Sequence, residues 1–288
     1  MDTKSKLALA LVLLAASLPA QQKLRIIAIG AHPDDCDIKF SGTAAKFAKA
    51  GHAVKFLSVT NGDAGHQAEG GGMLAKRRYL ETQESMRRNG IAEYEVLDNH
   101  DGELTPNVEV RKQIIRAIRR WNADIVVAPR PNDYHPDHRY TGVLVQDAAY
   151  MVVVPNVTPD VPPLRKNPIF MYYQDGFQKP APFRPDVVVN IDDVWDVKVN
   201  ALDAHTSQFY EWLPWVDGKL EEVPKDKAAR KAYLSNARTR PHPAIVRESI
   251  ERRYGAGAAD RIKRVETFEL CEYGRQPSLD ELSAIFPK

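Results

Sequence analysis

Two short segments carry the residue types that hydrolytic chemistry on a metal needs. The first is Ala31-His32-Pro33-Asp34-Asp35, in which an imidazole and two carboxylates share one turn. The second is His135-Pro136-Asp137-His138, with its histidines three residues apart at the start of a helical stretch. A catalytic zinc ion takes imidazole nitrogen and carboxylate oxygen, and keeps one position open beside three protein ligands. The first segment can supply two of those ligands, and either histidine of the second can complete the set. Taken singly, each segment also reads as an ordinary polar turn capping a helix. Taken together they point to a cation, because like-charged carboxylates brought together away from water need one.

The segments can meet only if the fold brings them to one place, and the flanking pattern says that it does. Leu24 to Gly30 is a compact apolar run of the kind found in a buried parallel strand. A helix capped by Ser41 and stopped by Gly51 follows, then a strand at Val54 to Val59. The alternation continues through a helix from Met73 to Asn89, a strand at Tyr94 to Leu97, a helix from Val108 to Trp121 and a strand at Asp124 to Ala128. A helix is expected at Asp137 to Met151, strands at Ile169 to Tyr173, Val187 to Ile191 and Val265 to Cys271, and helices near Val194 to Thr206, Lys225 to Asn236 and Ala244 to Tyr254. This is the pattern of an α/β, Rossmann-like, mostly parallel sheet flanked by helices. Its ligand site lies beyond the carboxyl ends of the strands, so the polar residues after Gly30, Val59, Leu97 and Ala128 should converge. Two long loops stand out: the glycine-rich stretch Asn61 to Gly72, which should face the substrate, and Pro155 to Pro168, whose five prolines suggest a lid or rim.

The two motifs resemble the signatures of the LmbE-like, or PIG-L, family of zinc-dependent N-acetylsugar deacetylases. The resemblance implies that His32, Asp35 and His138 bind one Zn2+ ion, that Asp34 is the general base, that His135 assists the transition state and that Asp137 sets the protonation of His135. In that scheme Asp34 takes the proton of the attacking water and a protonated His135 faces the oxyanion. Weaker matches extend over most of the chain. Arg78 and Glu81 resemble the family's Arg-x-x-Glu helix, Asp101-Gly102 a substrate-binding turn, and His205-Thr206-Ser207-Gln208 a late His-x-Ser-Gln segment, so Arg78, Glu81, Asp101 and His205 are the expected substrate-binding residues. The chain departs from the pattern at Asp37, where the family commonly has Glu, and carries Cys36 beside the acidic pair.

The implied activity is removal of an N-acetyl group from an N-acetylglucosamine-type sugar or conjugate, giving acetate and a free amine. Two rivals are an amidase acting on a sugar-linked conjugate and a non-catalytic secreted carbohydrate-binding protein. Binding alone needs no general base, which counts against the second. A dinucleotide-binding domain is set aside because His-Pro-Asp stands where a glycine-rich phosphate turn would be.

Composition narrows the rest. The 288 residues, 43% hydrophobic and 27% charged, suit a globular chain, and 40 basic against 38 acidic residues leave no basic block that would imply nucleic acid. Only Cys36 and Cys271 are present, which excludes a cysteine zinc finger, so any metal must use His and carboxylate. Lys4 and Lys6, the apolar run Leu7 to Leu18 and the Pro19-Ala20-Gln21 sequence have the layout of a secretory signal. The run is too short to span a bilayer. The expected organisation is therefore a signal peptide over 1–20 and one domain over 21–288, exported, without a transmembrane segment in the mature chain. Its partner is a small-molecule or glycan substrate, and the sequence carries no signal for an oligomeric state.

Overall fold

A computed structural model describes residues 23–288, so the signal-like segment lies outside the described residues. Seven strands among them form one sheet: β1 (Arg25–Gly30), β2 (Ala53–Ser58), β3 (Glu93–Val96), β4 (Ile125–Ala128), β5 (Ile169–Tyr173), β6 (Val187–Asn190) and β7 (Val265–Gly274). Their spatial order is β3-β2-β1-β4-β5-β7-β6. The first five are parallel, and β7 runs antiparallel between β5 and β6. Strand β1 shows why its sequence is apolar from Ile26 onward. Ile26 and Ala28 pack into the core on one face, Ile27 and Ile29 into the core on the other, and all four are fully buried.

Helices α1 (Asp35–Lys49), α2 (Gly71–Asn89) and α5 (Trp195–Leu202) cover the first face, and α3 (Val108–Trp121) and α4 (Pro136–Met151) the second. From β1 the chain passes through α1 to β2 on one side, and later returns through α3 to β4 on the other. The strand order therefore reverses between β1 and β4. Their carboxyl ends flank the crevice where such sheets bind ligands, and both motifs begin there.

Several expectations change. Helix α1 starts at Asp35, straight out of the acidic motif, and Ser41 is not a cap but lies inside it, its hydroxyl donating to the Asp37 carbonyl at 2.8 Å. The proline-rich stretch 155–168 is irregular, as expected, yet it is no lid. It leads into the amino end of β5, the end of the sheet away from the crevice, where the Arg119 guanidinium holds it by donating to the carbonyls of Val154, Val157, Thr158 and Val161. The helix expected over 194–206 ends at Leu202, and a π-helix over Gln208–Trp212 and a short helix α6 (Leu213–Val216) follow it. Helices α7 (Lys227–Arg238) and α8 (Ala244–Tyr254) then complete this region. Among the described residues no helix is long and apolar enough to cross a membrane.

Helix α4 is held close to the loop after β4. A Cβ added at Gly142 would lie 2.8 Å from the Arg130 carbonyl carbon and oxygen and from the Pro131 nitrogen. Those are backbone atoms and cannot swing aside. Gly142→Ala should therefore destabilise the protein by about 1–3 kcal/mol despite alanine's higher helix propensity. A fall in Tm checks this, and an unchanged or raised Tm would show that the approach is not tight.

Candidate metal centre

Strand β1 delivers the first motif in a tight turn, in which the amides of Asp34 and Asp35 both donate to the His32 carbonyl. Its last residue has to be glycine: a Cβ at Gly30 would come within 2.6 Å of the Asp35 Cβ. The amides of Ala31 and His32 donate to Asp35 Oδ2 at 2.8 and 2.9 Å, which locks that carboxylate against the turn. Strand β4 delivers the second motif. His135 is the N-cap of α4, accepting the Asp137 amide on Nδ1 at 3.2 Å, with Pro136 in the first helical position. His138, one turn in, pairs its Nδ1 with Asp133 Oδ1 at 3.1 Å, which leaves Nε2 for the crevice.

The two motifs meet there. His32 Nδ1 lies 3.1 Å from His138 Nε2 and 3.6 Å from Asp35 Oδ2, and His138 Nε2 lies 3.4 Å from Asp35 Oδ1. Four ligands placed tetrahedrally about 2.0–2.1 Å from an ion stand about 3.3–3.4 Å from one another. The separations within the trio are near that edge length, His32 being approached by one oxygen of Asp35 and His138 by the other. On the far edge of the ring, His32 Nε2 faces Asp101 Oδ1 at 3.1 Å and Asp137 Oδ2 at 3.3 Å, and Asp137 Oδ2 also accepts the Gly102 amide at 2.7 Å. A hydrogen on Nε2 satisfies both carboxylates and leaves the Nδ1 lone pair for a cation.

Two other groupings have donor atoms within 4.8 Å of one another: His32, His135 and His138, and His32, Asp101 and Asp137. The second uses a His32 edge and carboxylates already joined by hydrogen bonds. In the first, His135 has already committed Nδ1 to the Asp137 amide. In the trio containing Asp35, Oδ2 accepts the Ala31 and His32 amides, while Oδ1 faces His138.

Asp34 sits beside these groups, 6% exposed, with Oδ1 accepting from the Arg78 guanidinium at 3.2 Å. Burial raises its pKa, and the Arg78 charge offsets part of that rise. Arg78 is 2% exposed and also reaches the Gly62 carbonyl at 3.2 Å and Asp101 at 3.5 Å. It is thus part of the site and not a surface pair with Glu81. A cavity of about 700 Å³ opens over the cluster, and Asp34, Arg78, Asp101 and His135 all line it.

Glu81 and His205, expected to bind substrate, are corrected by the structure. The Glu81 carboxylate accepts from the Thr206 hydroxyl and from the amide and hydroxyl of Ser207, tying α2 to the segment after α5. His205 is fully buried with Nε2 3.1 Å from Asp37 Oδ2, and Asp37 also accepts from Ser85 and Tyr94. Neither residue lines the cavity. Asp37 has a complete set of partners of its own. The Asp137 carboxylate serves His32, not His135; only its backbone amide reaches His135. Burial and the neighbouring His32 and His138 push the His135 pKa down. With Nδ1 accepting, the hydrogen sits on Nε2. Cys36 is buried, its thiol pKa pushed up by burial, and donates to the Ala28 carbonyl at 3.3 Å as a small core residue would.

Other wall residues were not anticipated. Asp133 orients His138, and Tyr134, Phe177, Trp212 and Tyr233 give the cavity an aromatic rim. Trp212, stacked on Trp215 with ring centroids 5.4 Å apart, belongs to an aromatic run from Phe209 that was visible in the sequence but had no regular period. Of the glycine-rich loop, Ala64 and Gly65 reach the cavity, while His66 turns to Glu211.

Comparison with known proteins gives a consistent picture. The family model described as "PIG-L: GlcNAc-PI de-N-acetylase" matches residues 27–149, the stretch that contains both motifs. The diacetylchitobiose deacetylase of Thermococcus kodakarensis is 33% identical over 210 residues, covering 68% of this chain and 75% of that protein. Among solved structures, the N,N'-diacetylchitobiose deacetylase of Pyrococcus horikoshii superposes with a TM-score of 0.64 at 26% identity, over 85% of this chain and 83% of its own. The 4-carboxy-2-hydroxymuconate hydratase GalB of Pseudomonas putida KT2440 gives 0.65 at 18% identity, over 89% and 99%, a likeness of fold alone.

The donor cluster has a proton cost. Burial alone would lower the His138 pKa, but the carboxylates of Asp35 and Asp133 outweigh it and lift the ring to about 9. His32 is likewise raised, Asp101, Asp137 and Asp35 overcoming the effect of burial. At pH 7.5 His138 therefore carries a proton that an arriving cation must displace, so zinc affinity should rise with pH up to about 9. Calorimetric titration of metal-free protein with Zn2+ in two buffers of different ionisation enthalpy should show net proton release. Binding without proton release would contradict this electrostatic picture.

Proposed function

The chain belongs to the PIG-L family of metal-dependent N-deacetylases, and from that premise we propose that it is a zinc-dependent hydrolase acting on an N-acetylglucosamine-type sugar or sugar conjugate, releasing acetate and leaving a free amine. The observation that carries the proposal is the meeting of His32 Nδ1 and His138 Nε2, 3.1 Å apart, with the Asp35 carboxylate, whose Oδ2 lies 3.6 Å from the first and Oδ1 3.4 Å from the second, on the wall of a cavity that Asp34 also lines. These three residues would hold one zinc ion. When bound, zinc supplies a Lewis acid that polarises the acetyl carbonyl and acidifies water.

The remaining work falls to the chain's own groups. Asp34 takes a proton from the attacking water and returns it to the departing nitrogen; Arg78 holds its carboxylate in place meanwhile. His135 donates from Nε2 to the oxyanion as a neutral imidazole, its Nδ1 held by the Asp137 amide. Asp101 and Asp137 fix the ring orientation and tautomer of His32. Arg78 and Asp101 are taken to meet the sugar, a reading supported by their position on the cavity wall. The same proposal takes the chain to be exported, supported by Lys4, Lys6 and the apolar run Leu7 to Leu18. A mature chain beginning at Gln21, read by N-terminal sequencing of protein recovered outside the cytoplasm, is the expected result; an intact Met1 in that fraction is the contrary one.

Two variants separate metal from proton transfer. His138→Ala should lose stoichiometric zinc and activity together. Asp34→Asn should keep its zinc while acetate release from N-acetylglucosamine glycosides falls about 10²–10⁴-fold. Metal content by mass spectrometry and acetate by coupled assay read both, and an Asp34→Asn protein working at the parent rate would place the base elsewhere.

A further inference from the structure

Asp101 and Asp137 both face the single hydrogen on His32 Nε2, and two carboxylates drawn to one proton repel each other. Something else has to hold them in place. Asp137 is built into α4 and receives the Gly102 amide at 2.7 Å. Asp101 stands in the connection from β3 to α3, which leaves the sheet at its edge strand, so its place is set by what binds the backbone of that loop.

The binding comes from the start of the glycine-rich loop. Asn61 donates its backbone amide to the Asn99 carbonyl at 2.9 Å and its side-chain amide to Asp98 Oδ1 at 2.9 Å, and Asn99 returns a bond of 2.7 Å to the Val59 carbonyl. Asp63 completes the seam. Its own amide donates to Asn61 Oδ1 at 3.1 Å, folding residues 61–63 into an Asx turn, and its Oδ1 accepts the Asp101 amide at 3.0 Å. The consecutive amides of Asp101 and Gly102 therefore end on two carboxylates, those of Asp63 and Asp137, which pin the turn from both sides. Gly62 has φ 73°, and a Cβ there would lie 2.6 Å from the Arg78 guanidinium, so the seam also presses on the arginine that bridges Asp34 and Asp101. The other oxygen, Asp63 Oδ2, lies 2.7 Å from His100 Nδ1. That ring is 70% exposed and the Asp63 side chain 11%; a pair with so exposed a partner contributes little, which leaves the shielded bond to the Asp101 amide as the one that matters.

We propose that Asp63 is a positioning residue for the metal centre: it acts through Asp101, holding that carboxylate at the Nε2 edge of His32, and so keeps Nδ1 turned towards the ion. The glycine-rich loop, whose Ala64 and Gly65 line the cavity, thereby takes part in metal retention. The inference rests on the zinc reading of the His32, Asp35 and His138 site.

The test is zinc affinity at fixed pH, measured by competition with a chelator. Groups that orient a metal-bound histidine typically add about 10–100-fold to affinity, and Asp63 lies one bond further out, so Asp63→Ala should weaken zinc binding about tenfold. Asp63→Asn keeps the accepting oxygen and should stay within about threefold of the parent. A double-mutant cycle shows whether the effect runs through Asp101: in an Asp101→Ala background, Asp63→Ala should cost no more than about threefold further. A residue that only stabilised the fold would lower Tm in both backgrounds without that coupling. Parent affinity in Asp63→Ala, an Asp63→Asn protein no tighter than Asp63→Ala, or losses that multiply in the double variant overturn the assignment. If Asp63→Ala does not fold, Asp63→Glu, whose longer arm displaces the turn, takes its place with the same expectations. If the parent protein takes up no zinc, it is the zinc reading that fails. Asp63 is then judged on hydrogen exchange of the Asp101 and Gly102 amides: protection lost in Asp63→Ala and kept in Asp63→Asn supports its hold on the turn, and equal protection in all three proteins rejects it.

Discussion

The site depends on the division of labour within one imidazole ring. The Nε2 edge of His32 is committed to Asp101 and Asp137, and its Nδ1 edge faces Asp35 and His138. Four carboxylates, those of Asp34, Asp35, Asp101 and Asp137, thus crowd around a barely exposed ring. Such a concentration of like charge away from water is costly unless cations compensate it. Arg78 supplies one, bridging Asp34 and Asp101 from below. The rest of the compensation comes from protons on His32 and His138 or from a metal ion in their place. The raised imidazoles and the lowered Asp35 are two views of the same demand, since burial alone would shift each the other way.

The fold meets this demand by placing both motifs at one reversal of strand order, β1 on one side and β4 on the other. That much was legible in the sequence. Strands buried on both faces announce themselves as continuous apolar runs, and β1 ends in the glycine on which the acidic turn folds back. Alternation of strands and helices then fixed where polar residues would gather. The resemblance implied a ligand trio, and the fold brings those three residues side by side.

What stayed hidden lies in contacts between distant segments. Arg78 and Glu81, three residues apart on one helix, carry the same expectation of meeting substrate; in the fold Arg78 turns into the site and Glu81 turns to Thr206 and Ser207. His205 looked like a polar group for substrate but is sealed against Asp37. The proline-rich stretch looked like a lid by composition, although a loop that feeds the amino end of a parallel strand lies at the wrong end of the sheet for that role. The wall around Trp212 had no period to read, because a π-helix and Pro214 interrupt the helical repeat. A fold of this kind does not name its chemistry by itself; the donor atoms and Asp34 do.

The central claim is the ion's position, and anomalous diffraction from crystals of the zinc-loaded protein tests it most directly. One zinc peak about 2.0–2.2 Å from His32 Nδ1, His138 Nε2 and an Asp35 oxygen is the expected result. A peak on the other edge of the ring, between His32 Nε2, Asp101 and Asp137, or none within reach of His138, would contradict it.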